Sequence, residues 1–168
     1  VGINGFGRIG RLVLRAIADD QDLEIVALDD LFDIEKIALL FKYDSVHGPF
    51  KGEVSVDGGN LVVNGKTVRV TSETNPANLA WGDVGADVVV ESTGIFRSRD
   101  QIKKHLAAGA KKVILTVPAK DKIDATIVLG VNEEALKPEH TIVSNASWAK
   151  SSCIFISFRG HILTIVIC

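Results

Sequence analysis

The 168-residue sequence predicts a doubly wound α/β fold, in which helices cover both faces of a mostly parallel sheet. Segments with helical spacing of apolar residues separate several short apolar runs, as the crossovers of a parallel sheet require. The length is that of one ordinary domain with a single core. The apolar runs, typical of strands buried on both faces, are residues 1–4, 24–28, 86–91, 112–117, 126–130 and 141–144.

Composition and charge narrow the class of protein. Hydrophobic residues make up 46% and charged residues 24% of the chain, as in a globular domain. The 19 Lys and Arg against 21 Asp and Glu argue against nucleic-acid or anionic-membrane partners. No apolar run reaches the ~18 residues of a membrane span. We expect no signal peptide, since the sequence opens directly on a short strand. Because Cys153 and Cys168 both lie near the end, a disulfide scaffold is excluded. We expect a cytoplasmic domain.

Three segments are predicted to be helices, at residues 9–17, 34–41 and 99–108, and residues 76–81 could form a short fourth one. The first has an apolar face composed of Ile9, Leu12, Val13, Ala16 and Ile17. Between residues 52 and 71 the pattern alternates instead, with turn sequences at 57–59 and 64–65. That stretch predicts antiparallel hairpins inserted into the α/β chain.

A glycine fingerprint follows the first predicted strand. Gly5-x-Gly7-x-x-Gly10 lies between that strand and an amphipathic helix, and an acidic pair follows about twenty residues later. The glycines would serve the tight turn, the close approach of a pyrophosphate, and close helix–strand packing. The helix N-terminus would supply N–H groups and partial positive charge to the phosphates. This context predicts a Rossmann-type dinucleotide site; a tight turn that binds nothing is the alternative.

The acidic pair predicts which dinucleotide binds. Asp30, or Asp29, ends the second strand and can accept hydrogen bonds from the adenine-ribose hydroxyls. A carboxylate there repels a 2′-phosphate, so NAD is favoured over NADP.

Polar loops follow two later strands, at residues 92–94 and 116–118. They either line the same ligand-binding edge or contain hydroxyls that cap helices, and the sequence leaves both open. The four histidines have no partners at metal-ligand spacing, so no metal site is predicted. They are His47, His105, His140 and His161.

Four segments together resemble phosphorylating, NAD-dependent glyceraldehyde-3-phosphate dehydrogenases, a family of glycolytic oxidoreductases. They are NGFGRIGR at 4–11, KYDSVHG at 42–48, ESTGIF at 91–96 and SNAS at 144–147. The resemblance runs from residue 1 to 147. Erythrose-4-phosphate dehydrogenase is a close relative of this family and remains an alternative identification. It implies a Rossmann NAD-binding domain over 1–147, with glyceraldehyde 3-phosphate and phosphate as the family's substrates and a homotetramer as its assembly.

The resemblance also implies roles for individual positions. Arg8 and Ile9 would contact the pyrophosphate, Asp30 the adenine ribose, and Thr116, where the family usually has Ser, the nicotinamide half. Thr74 stands where the family often has Arg beside the adenine, so a contact there would use the backbone. Ser147 would lie on the substrate side. The implied cofactor-binding residues are Gly5, Phe6, Gly7, Arg8, Ile9, Gly10, Asp30, Thr74, Thr93, Gly94 and Thr116.

The sequence departs from the family after Ser147. Trp148 occupies the place of the nucleophilic Cys, and an indole cannot form the thiohemiacetal that hydride transfer requires. Cys153 lies five residues further on, in a strand-like segment, and is expected to be incidental. Residues 148–168 form an apolar tail unlike the family, and the catalytic domain with its His and interface sheet is expected to be missing.

The chain as written is therefore expected to lack a catalytic residue. A non-enzymatic NAD-binding or interaction module remains an alternative function. A misread translation product, from a frameshift, an unspliced intron or a sequencing error, is the other explanation of the tail.

Overall fold

The structure, a computed structural model, describes residues 1–128, 130–145, 157–159 and 162–164, the last two ranges by their backbone alone. In chain order the described strands are β1 (Gly2–Asn4), β2 (Ala27–Asp29), β3 (Tyr43–Asp44), β4 (Gly48–Pro49), β5 (Val54–Asp57), β6 (Asn60–Val63), β7 (Lys66–Thr71), β8 (Val88–Glu91), β9 (Lys112–Leu115), β10 (Ala125–Thr126), β11 (Ile142–Ser144), β12 (Ser157–Arg159) and β13 (Ile162–Thr164). The α-helices are α1 (Arg8–Ile17), α2 (Ile34–Lys42) and α3 (Arg99–Ala107), and short 3₁₀ helices span Pro76–Asn78 and Glu133–Ala135.

Nine strands form the main sheet, in the order β10-β11-β9-β8-β1-β2-β7-β6-β5. From β10 to β7 every neighbouring pair is parallel, and β6 and β5 add an antiparallel extension. Strand β7 is thus both the last strand of the hairpins and a member of the parallel sheet. Read from β7 to β11, the parallel strands follow the 3-2-1-4-5-6 order of dinucleotide-binding folds. The predicted doubly wound sheet with inserted hairpins is confirmed.

Helices cover both faces of this sheet. On one face, Ile3 of β1 and Val90 of β8 pack with α1 and α2 in the largest apolar cluster. On the other, Val89 packs with Trp81, and Val113 packs with Ile102 of α3. Neighbouring residues Val89 and Val90 therefore face opposite layers, as expected of a strand buried on both sides.

Local sequence signals begin the helices and turn the hairpins. The Asp33 carboxylate accepts the N–H groups of Glu35 and Lys36 at the start of α2. Ser98 and Gln101 form a reciprocal capping box at the start of α3. Asn64 has φ of +51° between β6 and β7, in the left-handed region that an Asn-Gly hairpin turn uses.

The structure corrects several predicted boundaries. The buried face of α1 uses Leu14, while Ala16 is exposed and Leu12 only half-buried. The second strand begins at Ala27, three residues after its predicted start at 24. The segment 76–81 forms only a 3₁₀ turn, and the strand expected at 126–130 ends at Thr126. In the last three cases hydrophobicity predicted a longer element than the hydrogen-bonded ladder or helix supports.

The tail is described only in part. The backbones of β12 and β13 pair in antiparallel fashion, in agreement with the strand-like pattern of that segment. The rest of residues 146–168, including Trp148 and both cysteines, lies outside the described residues. None of the described helices has both the length and the apolar composition to cross a bilayer.

One carboxylate links α3 to the β10–β11 edge. Asp124 accepts hydrogen bonds from Thr141 N (2.9 Å), Ile142 N (3.1 Å) and Arg99 Nη2 (2.9 Å). Burial opposes its ionisation, but these hydrogen bonds outweigh that effect and hold the pKa of Asp124 well below its ordinary value. Ionised Asp124 thus stabilises the fold above the ordinary carboxyl pKa of about 4.

We predict that Asp124→Ala lowers the free energy of unfolding by about 2 kcal/mol at pH 7, because two backbone N–H groups lose their acceptor. The loss should shrink below about pH 4, because there the Asp124 carboxyl of the unfolded chain is protonated while the folded chain still keeps it charged, so the ionised group stabilises the fold less. Denaturant titrations across this pH range measure it. Asp83→Ala, at an exposed carboxylate, should change little; equal losses for the two variants would contradict the role of Asp124.

Candidate functional site

The carboxyl ends of β1, β2 and β8 meet at one edge of the sheet. The chain goes from β1 outward to β2 and β7 on one side, and to β8 and β9 on the other. Loops that leave adjacent strands in opposite directions create a crevice, which is where open α/β sheets bind ligands. The predicted glycine turn, the acidic pair and the 92–94 loop all lie at this edge.

The three glycines of the fingerprint differ in their surroundings. Gly5 has φ of +87°, and its N–H donates to the Asp29 carbonyl oxygen at 2.8 Å. A Cβ on Gly10 would lie 2.2 Å from the Gly5 carbonyl oxygen, so α1 packs against β1 with no space for a side chain. A Cβ on Gly7 would meet nothing within 4 Å. The surface at Gly7 is therefore open to a ligand.

Helix α1 begins at this surface without a cap. Its N-cap residue is Gly7, which has no side chain to accept the first N–H groups, and its first turn contains no acidic residue. Arg8, the first helical residue, is exposed. A cation at a helix N-terminus is unfavourable by about 0.3–1 kcal/mol, whereas an anion there is stabilised. The end of α1 therefore suits a phosphate group.

The structure distinguishes the two acidic residues that the sequence left as alternatives. Asp29 is 3% exposed, and its carboxylate accepts Thr71 Oγ1 (2.7 Å) and Glu73 N (2.8 Å). Burial raises the pKa of Asp29, although both hydrogen bonds oppose the shift. Asp30 is half-buried beside the glycine turn, where its Oδ2 accepts the Phe6 N–H at 2.6 Å. Asp29 is thus held within the scaffold, and Asp30 lies at the crevice.

The loop after β8 contacts the glycine turn directly. Ser92 Oγ donates to the carbonyl oxygens of Asn4 and Gly5. A Cβ on Gly5 would lie 2.7 Å from Thr93 N, so these two loops are in contact. Thr93 is half-buried and Gly94 is exposed with φ of +73°.

Two further predicted residues occupy the same edge but differ in exposure. Thr116 follows β9 and is 5% exposed, and its hydroxyl donates to the Glu91 carbonyl oxygen at 3.2 Å. Thr74 is exposed beyond the end of β7. The hydroxyl of Thr116 is therefore engaged by the scaffold in this structure, whereas Thr74 is accessible.

The 42–48 segment is held against α1. Its Asp44 carboxylate accepts the N–H groups of His47 and Val46, which hold the pKa of Asp44 at about 2. Arg15 of α1 donates to the carbonyl oxygens of Phe41 and Gly48 and so fixes this turn. Ser147 and Trp148 lie outside the described residues. Within the described ranges, no three His, Cys, Asp or Glu residues are grouped to hold a metal ion.

Sequence reasoning missed a buried polar network beneath the crevice. Glu91 accepts hydrogen bonds from Asn4 and His105, and His105 accepts one from Trp81. The available signal was a glutamate at the end of an otherwise apolar strand. Asn4 and His105 are 87 and 14 residues away along the chain, so no local pattern could identify these two partners.

The arrangement defines a dinucleotide-binding α/β domain. An uncapped helix N-terminus lies next to an open glycine and fits a pyrophosphate, and a half-buried carboxylate at the end of β2 fits ribose hydroxyls.

Comparison with known proteins identifies the family. The profile described as "Glyceraldehyde 3-phosphate dehydrogenase, NAD binding domain" matches residues 1–99. The chain is 58% identical over 148 residues to the glyceraldehyde-3-phosphate dehydrogenase of Geobacillus stearothermophilus, covering 88% of this chain and 44% of that protein. It is 58% identical over 147 residues to the cytosolic enzyme of Trypanosoma brucei brucei, with the same two coverages. The Thermotoga maritima enzyme is 53% identical over 154 residues, covering 90% of this chain and 46% of that enzyme.

The chain belongs to the family of glyceraldehyde 3-phosphate dehydrogenase NAD-binding domains. It spans less than half the length of these curated relatives. The cofactor of the family domain is NAD, as the fingerprint and the acidic pair predicted.

Proposed function

We propose that residues 1–147 bind NAD across the crevice between the glycine turn and the 92–94 loop. The observation that carries this proposal is the uncapped N-terminus of α1 beside the open surface of Gly7, with exposed Arg8 as the first helical residue. An anion at that position would accept the unpaired N–H groups and offset the unfavourable charge of Arg8.

The remaining contacts follow from this placement. Asp30 would accept hydrogen bonds from the adenine-ribose hydroxyls, since its carboxylate faces the glycine turn and is only half-buried. Exposed Thr74 would lie on the adenine side, and Gly94 would line the opposite wall together with Thr93. Thr116 would reach the nicotinamide half only if its hydroxyl exchanged the Glu91 carbonyl for the ligand. Bound NAD supplies a hydride acceptor.

For the chain as written, we further propose a cofactor-binding role without aldehyde oxidation. In the family, a Cys thiolate bonds to the aldehyde of glyceraldehyde 3-phosphate, and phosphate later releases the acyl group. Trp148 stands at that nucleophile's position, and an indole has no thiolate. Ser147 precedes it and would have no thioester to support. A non-enzymatic NAD-binding module is therefore the function that these residues favour.

We predict that the chain binds NAD in a saturable manner and binds NADP at least about tenfold more weakly, because Asp30 repels a 2′-phosphate. Asp30→Asn removes the charge and should weaken NAD binding while narrowing that ratio. Calorimetric titration with both dinucleotides measures these changes.

The matched control is Asp57→Asn, which removes the same charge at the exposed hairpin turn and should leave both affinities unchanged. A folded wild-type chain that binds neither dinucleotide would refute the proposed function. Equal affinity for NAD and NADP would refute the role of Asp30.

We also predict no formation of reduced nicotinamide when the chain is mixed with NAD, glyceraldehyde 3-phosphate and phosphate, because no nucleophile occupies position 148. Absorbance of the reduced cofactor measures turnover, and Cys153→Ser serves as the matched variant. Turnover in the wild-type chain that disappears in Cys153→Ser would overturn this prediction and make Cys153 the nucleophile.

A further inference from the structure

Four polar or partly polar side chains are buried directly beneath the crevice. Glu91 and His105 are fully buried, Trp81 is 1% exposed, and Asn4 is 2% exposed. Burying a carboxylate is costly unless hydrogen bonds replace its water. The contacts of Glu91 indicate how that cost is offset and what the arrangement holds in place.

Glu91 accepts four hydrogen bonds. Its Oε2 accepts Asn4 Nδ2 at 2.6 Å and His105 Nε2 at 3.0 Å. Its Oε1 accepts the Thr93 N–H at 2.8 Å and the Thr93 hydroxyl. Every group around the carboxyl is therefore a donor, which suits an acceptor-only carboxylate.

Trp81 determines which nitrogen of His105 carries the proton. The indole N–H can only donate, and it lies 3.0 Å from His105 Nδ1. Nδ1 must accept, so the proton of the neutral ring lies on Nε2, the atom that faces Glu91. Trp81 thereby makes His105 a donor to Glu91 without adding a charge.

The two residues that Glu91 holds lie next to the two loops of the crevice. Asn4 immediately precedes Gly5, the turn glycine, and Thr93 immediately precedes Gly94. The Thr93 hydroxyl also accepts the N–H of Ile95 at 3.1 Å, which extends the restraint along the loop. One buried carboxylate therefore fixes both walls of the crevice relative to each other.

We propose that Glu91 is a positioning residue for cofactor binding. It acts through Asn4 and Thr93 and does not itself touch the cofactor, and its own orientation is set by His105 and Trp81. The proposal rests on the proposed function for the identity of the ligand.

Glu91→Gln tests the proposal in the full 168-residue chain. The amide adds two donors where four donors already converge, so a bond to Asn4, His105 or Thr93 must be lost. We expect faster hydrogen exchange of the Thr93 and Ile95 amides, together with a loss of NAD affinity of about tenfold. The matched control is Val113→Ala, a fully buried position on β9 that contacts neither loop.

The effects of Glu91→Gln and Val113→Ala on NAD affinity and on amide exchange are compared relative to the loss of Tm that each variant causes. A merely structural Glu91 would weaken NAD binding and speed Thr93 exchange no more than Val113→Ala does, and that result would overturn the proposal. Trp81→Phe is the second variant, because it removes the indole N–H, together with part of the ring, and keeps an aromatic side chain packed beside Val89. It should speed exchange at the same two amides with a smaller loss of affinity, and unchanged exchange there would overturn the role of Trp81 and His105.

The two measurements separate this proposal from the proposed function. If the wild-type chain fails to bind NAD, the proposed function fails, and the exchange measurement alone decides whether Glu91 orders the loops. If the wild-type chain binds NAD and Glu91→Gln binds it equally well, only the positioning role fails.

Discussion

The close approach of α1 to β1 is the constraint on which the rest of the site depends. The Gly5 carbonyl oxygen occupies the space that a Cβ on Gly10 would need, so the helix begins directly above the end of the strand. Strand β1 lies in the middle of the sheet, between β2 and β8. The backbone bonds from Gly5 N to Asp29 O and from Ser92 N to Asn4 O join the three strand ends into one surface. A helix N-terminus, a carboxylate and a hydroxyl loop therefore meet where the two halves of the sheet diverge.

Three carboxylates at this edge of the sheet have different environments. Asp29 and Glu91 are buried, and their oxygens accept hydrogen bonds from neighbouring loops. Asp30 is half-buried and bonds the Phe6 N–H while remaining accessible. Two acidic residues thus stabilise the shape of the crevice, and one supplies its negative charge. Because different carboxylates perform these two roles, the loops can stay ordered while Asp30 remains accessible to a ligand.

The fold class and the crevice could be predicted from the sequence, since apolar runs, turn residues and the glycine fingerprint are local signals. The buried face of α1 could not be predicted in detail. Leu12 and Leu14 both fit a helical period, and only packing against the sheet selects Leu14 for the core. The choice between Asp29 and Asp30 depends on Thr71 and Glu73, more than 40 residues away. The Glu91 network was missed for the same reason: it depends on contacts that only the folded chain creates.

Titration of a Gly7→Ala variant with NAD determines whether the cofactor binds at the N-terminus of α1. A Cβ at this position meets nothing within 4 Å, and the residue has an ordinary φ of −68°. Alanine there clashes with nothing in the chain, and its only effect on the protein itself is that of a poorer N-cap for α1. We predict a small decrease in Tm from the poorer cap, together with a loss of NAD affinity of at least about tenfold. Unchanged affinity in the folded variant would contradict this prediction, because the cofactor would then lie away from the N-terminus of α1.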